Sequence, residues 1–105
     1  MAEPLDVLCI YDVKPGREEE FQRLIATHWA VLQKAGLVSS EPAKVLRTIA
    51  RGGKIGFIEM FQWKDQSSSG LAHNSPEVLE IWQPMEALTE KMDFLSTEPV
   101  DSLLT

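Results

Sequence analysis

Residues 5–13, LDVLCIYDV, decide the fold. Side chains of an extended chain point alternately to opposite faces, so Leu5, Val7, Cys9, Tyr11 and Val13 share one side and Leu8 and Ile10 the other. Residues 55–63, IGFIEMFQW, repeat the pattern: Ile55, Phe57, Phe61 and Trp63 share a face with Glu59, while Ile58 and Met60 lie opposite. A strand with one face in water alternates apolar and polar residues. These two strands are apolar on both sides, so both sides need cover.

Outward from these strands the elements follow in order. Lys14, Pro15 and Gly16 end the first strand, and residues 17–35 carry Phe21, Leu24, Ile25, His28, Trp29 and Leu32 at helical spacing. Glu18, Glu19 and Glu20 suit the positive N-terminal end of that helix, and Gly36 is its stop. Residues 43–50 read as a second strand, joined to the 55–63 strand through Arg51-Gly52-Gly53-Lys54, where glycine tolerates the positive φ of a tight turn. Residues 66–74 are a polar connection with room for a helical turn. Ser75-Pro76-Glu77 marks a helix start, with serine as N-cap and proline at the first position. The stripe Val78, Ile81, Trp82, Met85, Leu88, Met92 predicts a second amphipathic helix, kinked or broken at Pro84, and residues 94–104 are left as the last strand.

The order is βαββαβ, that of a ferredoxin-like α+β domain: one antiparallel sheet with two helices on one face, the whole of residues 1–105 forming a single domain. Two helices cover only one face of four strands. A second copy of the chain is the cheapest cover for the other, since the two-fold dimer is the commonest oligomer. A homodimer is therefore expected.

Composition narrows the partners. The 105 residues are 44% hydrophobic and 25% charged, the balance of a chain that folds. Sixteen acidic against ten basic residues leave a formal charge of −6. The basic residues are scattered singly, which argues against nucleic acid. Cys9 is the only cysteine, so no intrachain disulfide forms and a reducing cytoplasm fits. Residues 1–6 lack the cationic and apolar segments of an export signal, and no stretch is apolar enough to span a bilayer, so the expectation is a cytoplasmic protein away from membranes.

Three strings carry a family likeness. YDVKPGREEEF from Tyr11, FIEMFQWKD from Phe57 and LAHNSPEV from Leu71 resemble, in order and spacing, the antibiotic biosynthesis monooxygenase-like group of the dimeric α/β-barrel superfamily, over residues 5–88. The resemblance implies a pocket between helices and sheet in each protomer. It also implies a small cofactor-independent oxygenase of aromatic or quinol-type molecules, needing neither flavin nor metal. Such chemistry asks the protein for a base, a dry cavity and orientation. The superfamily also holds isomerases, decarboxylases, haem-degrading enzymes and members without known turnover, so a non-oxygenase enzyme or a binding or stress-response dimer is the alternative. Haem-degrading members carry an axial histidine about two turns into the second helix, where residues 79–84 offer Trp82 and no histidine. Haem degradation is set aside.

His73 stands where the family often has a histidine and is the candidate base. Glu59 is a carboxylate within an apolar strand face and needs a partner: His73, Arg47 or a residue of a second copy. It is either the orienter of the base or half of a structural ion pair. His28 interrupts the apolar stripe of the first helix and points at the sheet, where Tyr11 is available to meet it. Tyr11, His28, Trp29, Arg47 and Trp82 are the candidate pocket residues. His28, His73 and Glu59 lie on three elements without ligand-like spacing, and no metal site is read from them.

Overall fold

The computed structural model describes residues 3–98 and residue 100. Strand β1 (Leu5–Val13) lies at the centre of a four-stranded sheet of order β2-β3-β1-β4, flanked by β3 (Ile55–Trp63) and β4 (Thr89–Ser96), with β2 (Lys44–Ile49) at the far edge. Each neighbouring pair is antiparallel. Helix α1 (Glu18–Lys34) follows β1, and a short α2 (Ser68–His73) precedes α3 (Pro76–Ala87). The element order and sheet order are those of the ferredoxin-like fold.

Register fixes which residues meet. Cys9 pairs with Glu59 and Phe94, Tyr11 with Phe57 and Met92, and Val45 of β2 with Glu59. The face bearing Val7, Cys9, Tyr11, Val13, Phe57, Glu59, Phe61 and Trp63 is buried beneath Phe21, Ile25, His28 and Leu32 of α1 and Val78, Ile81 and Met85 of α3. Among the described residues the opposite face has no such layer. Its central rows are Leu46–Ile58–Ile10 and Met60–Leu8–Leu95, and Leu46 and Leu95 are 43% and 46% exposed. The described residues form a slab 18 Å thick, one sheet and one helical layer.

Helix α1 ends as Gly36 foretells. Gly36, at φ +76°, donates its amide to the Gln33 carbonyl, and Leu37 donates to Leu32, the paired bonds of a Schellman motif with Leu32 and Leu37 both buried. Gly52 and Gly53 at φ +88° and +86° form the β2–β3 turn.

Three expectations change. Helix α3 is not broken at Pro84: the proline stands in the last turn, where its missing amide forfeits one bond and Leu88 still donates to the Pro84 carbonyl. Ser75 precedes the helix, but its hydroxyl bonds the Glu77 carboxylate rather than a backbone amide. The last strand begins at Thr89, not Phe94, so Leu88 and Met92 do not extend the helical stripe. Their spacing of four suits a helix face and an alternating strand equally. The free edge of β1 decides, pairing Met92, Phe94 and Ser96 with Tyr11, Cys9 and Val7. Residues 99 and 101–104 of the expected strand lie outside the described residues.

Candidate functional site

Glu59 sits on the helix-covered face of β3, between Cys9 of β1 and Val45 of β2, and is 0% exposed. A carboxylate there must be hydrogen-bonded, or its burial would cost several kcal/mol, on the order of a whole domain's stability. Two neighbours serve it. Tyr11, diagonal to Glu59 across the β1–β3 pair, donates its hydroxyl to Oε1 at 2.8 Å. His28 comes down from α1 with Nδ1 at 2.8 Å from Oε1 and 3.0 Å from Oε2. Tyr11 and His28 are also 0% exposed.

The other ring nitrogen of His28 sets the charge of the network. Trp82 of α3 places its indole Nε1 at 2.8 Å from His28 Nε2. An indole N–H only donates, so Nε2 accepts and carries no proton. The single proton of the neutral imidazole is then on Nδ1, aimed at Glu59. The carboxylate accepts from both partners and is ionised, and the cluster holds one negative charge among neutral donors. These bonds to an ion are the stronger kind.

That charge acts on its neighbours. Burial first, then the Glu59 charge, push the Tyr11 phenol well above its ordinary range. The Cys9 thiol is pushed up by the same two causes in the same order. Both groups stay protonated: Tyr11 is a donor here and not a base.

Above the network lies an aromatic shelf. The Trp82 ring is half-buried, with His73 edge-on at 5.0 Å, Phe94 at 6.1 Å and the His28 ring at 6.4 Å between centroids. Phe94 also meets Tyr11 edge-on at 6.0 Å, and His28 stands edge-on to Phe61 at 6.0 Å.

The candidates therefore separate. Tyr11, His28, Glu59 and Trp82, from β1, α1, β3 and α3, form one connected chain of hydrogen bonds. His73 is exposed at the end of α2 and reaches the site only through the Trp82 ring, so it is not the partner of Glu59. Arg47 is not that partner either. It lies opposite Phe57, one pleat beyond Val45, and opens onto a shallow groove beside Gln22 and Ala26 of α1. Trp29 packs against the core, and its indole Nε1 is buried without a hydrogen-bond partner among the described residues. Phe94 was not among the candidates, because a strand placed too late hid its pairing with Cys9. Among the described residues no three His, Cys, Asp or Glu side chains gather as metal ligands.

No family model and no curated protein sequence matches the chain. Solved structures do. A point variant of SnoaB, a cofactor-independent oxygenase from Streptomyces nogalater, is similar with a TM-score of 0.74 at 17% identity, over 94% of this chain and 95% of that one. PA3566 from Pseudomonas aeruginosa gives 0.71 at 18% identity, over 95% and 97%. A candidate antibiotic biosynthesis monooxygenase from Nitrosomonas europaea gives 0.70 at 7% identity, over 95% and 93%. At such identities the likeness is one of fold. The chain has the ferredoxin-like α+β fold of these proteins, the fold its resemblance to the antibiotic biosynthesis monooxygenase-like group implies.

Proposed function

We propose that the protein is a cofactor-independent oxygenase of an ionisable aromatic, quinol-type molecule, with His28 as its base. One observation supports this reading above the rest: a histidine whose Nε2 is an unprotonated acceptor, met by the Trp82 indole, while its Nδ1–H rests on a buried carboxylate. That is the arrangement by which a carboxylate holds a general base in the right tautomer and stabilises its imidazolium. When Trp82 moves aside, a phenolic or enolic O–H bonds His28 Nε2 in its place and gives up its proton there. Glu59, still bonded to Tyr11, balances the positive ring. The substrate anion passes an electron to dioxygen, the radical pair joins into a peroxide at the conjugated ring carbon, which bears one hydrogen, and the His28 imidazolium returns its proton to that peroxide. Loss of water leaves a carbonyl: one oxygen atom enters the product, the other leaves as water, and all four electrons come from the substrate. SnoaB, a cofactor-independent oxygenase of similar fold, is consistent with this chemistry. His73 lines the mouth beside Trp82 on this reading.

Oxygen uptake over a panel of quinols and tricyclic ring-methylene compounds tests it. Activity should fall roughly 100-fold or more in His28→Gln, and Glu59→Gln should lower it too. No uptake above an inactive control refutes the oxygenase, and loss of activity in His73→Ala but not in His28→Gln returns the base to His73. A second reading, a binding dimer without turnover, draws on the complete burial of Tyr11, His28 and Glu59. In that case His28→Gln lowers stability and no compound in the panel is turned over.

The homodimer belongs to the same proposal. The bare rows of Leu8, Ile10, Leu46, Ile58, Met60 and Leu95 are what a second sheet would cover. Ile10→Glu with Met60→Lys should shift sedimentation from dimer to protomer. A wild-type protomer stable at micromolar concentration would end the idea. Among the described residues no helix is long and apolar enough to cross a membrane. We place the protein in the cytoplasm on its single, buried, reduced cysteine, and recovery from a secreted or periplasmic fraction would contradict this.

A further inference from the structure

We propose that Trp82 is a latch that makes the His28 site select flat aromatic hydrogen-bond donors: a neutral ligand with a ring O–H or N–H takes the indole's place on His28 Nε2, while acceptor-only and anionic ligands are refused. The inference rests on the His28 site proposed above but not on any reaction there. Three features carry it.

The first is that the acceptor character of Nε2 is locked. Turning the imidazole over would break the Nδ1 bonds to both oxygens of Glu59, at 2.8 and 3.0 Å, and place an unprotonated nitrogen against a carboxylate. A ligand meeting Nε2 must therefore bring the proton. An ether or a ketone leaves that buried nitrogen unpaired, and unmet buried polar groups are what discriminate most sharply among ligands.

The second is the sign of the site. The groups in contact with Glu59 are the Tyr11 hydroxyl and the neutral His28 ring, with the Cys9 thiol across the strand pair, and none of them is a cation. An anionic ligand on the far side of the imidazole faces that charge across a medium that screens it poorly.

The third is that Trp82 is the member free to move. His28, Glu59 and Tyr11 are closed in and bonded to one another. Trp82 is half-buried, holds the network by one bond, and lies in α3 two residues before Pro84. Its other ring neighbours, His73 and Phe94, are exposed, so the ring can swing toward them and still stack. The indole itself, a planar aromatic with one N–H, is the template of what fits.

The test uses 2-naphthol, 2-methoxynaphthalene and 2-naphthoate as probes, added without oxygen to nitrogen-15-labelled wild-type protein. Three tryptophans give three indole N–H signals, and the one missing from Trp82→Phe belongs to Trp82. Naphthol should move the Trp82 signal toward that of a free indole, and the methyl ether and the carboxylate should bind at least ~10-fold more weakly. Trp82→Phe, which has no competing donor, should bind naphthol more tightly than wild type. Equal affinity for naphthol and its ether, binding that leaves the Trp82 signal in place, or no binding at all overturns the proposal. If Trp82→Phe does not fold, the probe series on wild type still decides, with Trp82 assigned through the intact protein's backbone. Donor-selective binding without oxygen uptake in any quinol sinks the oxygenase and leaves the latch standing. Oxygen uptake with a displaced-donor rule that fails does the reverse.

Discussion

Alkaline titration reaches the buried network through a residue that can be watched alone, because Tyr11 is the only tyrosine in the chain. In the folded protein, burial and the Glu59 charge hold its phenol well above the ordinary value of about 10. The protonated form is thus favoured by folding. Stability from this group is complete below the unfolded pKa and is lost as pH rises beyond it, because the unfolded chain then releases a proton that the folded chain keeps. Each pH unit past that point costs about 1.4 kcal/mol. Cys9, raised by the same causes, adds the same slope from about pH 9 upward. By pH 12 the two together remove about 7 kcal/mol, comparable with the ~5–15 kcal/mol that holds a domain together. Tyrosinate absorbance near 295 nm and far-ultraviolet circular dichroism, followed together from neutral pH, should stay flat past pH 10 and then change in one shared transition. A reversible tyrosinate titration centred near 10 with the dichroism unchanged would show that the phenol is neither buried nor beside a charge, and the reading of the network would fall with it.

Two further predictions concern stability. Tyr11→Phe leaves Glu59 one bond short and should lower the unfolding free energy by about 1–3 kcal/mol in urea; an unchanged midpoint would mean that the hydroxyl does not bond the carboxylate. Gly56 faces the bare side of the sheet, where a Cβ would lie 2.8 Å from Thr48 Oγ1 and 2.8 Å from the Tyr11 carbonyl. The threonine can turn but the carbonyl cannot, so Gly56→Ala should cost more than about 1 kcal/mol by thermal unfolding, and a neutral result would show that β1 and β3 part more easily than their register suggests.

Much of the fold was legible because burial leaves a period in the chain. Strands β1 and β3 lie at the bounds their alternation gives, and His28 lies on the buried side of α1 as its spacing with Phe21, Ile25 and Leu32 requires. The β4 boundary was not legible, since a spacing of four residues serves both periods. The partner of Glu59 was not legible either: His73, Arg47 and a residue of a second copy were the candidates, while register and helix placement chose His28, which the sequence had set only against Tyr11.

Periodicity names the face on which a side chain lies, because that depends only on neighbours a few residues away. It therefore determined a sheet greasy on both sides, two helices to cover one of them, and a carboxylate stranded in an apolar strand. A hydrogen bond depends on ångströms between elements that the chain brings together from 31, 48 and 54 residues apart. Only the packed structure decided that Tyr11 and His28 hold Glu59, and that a tryptophan on the last helix keeps the histidine uncharged.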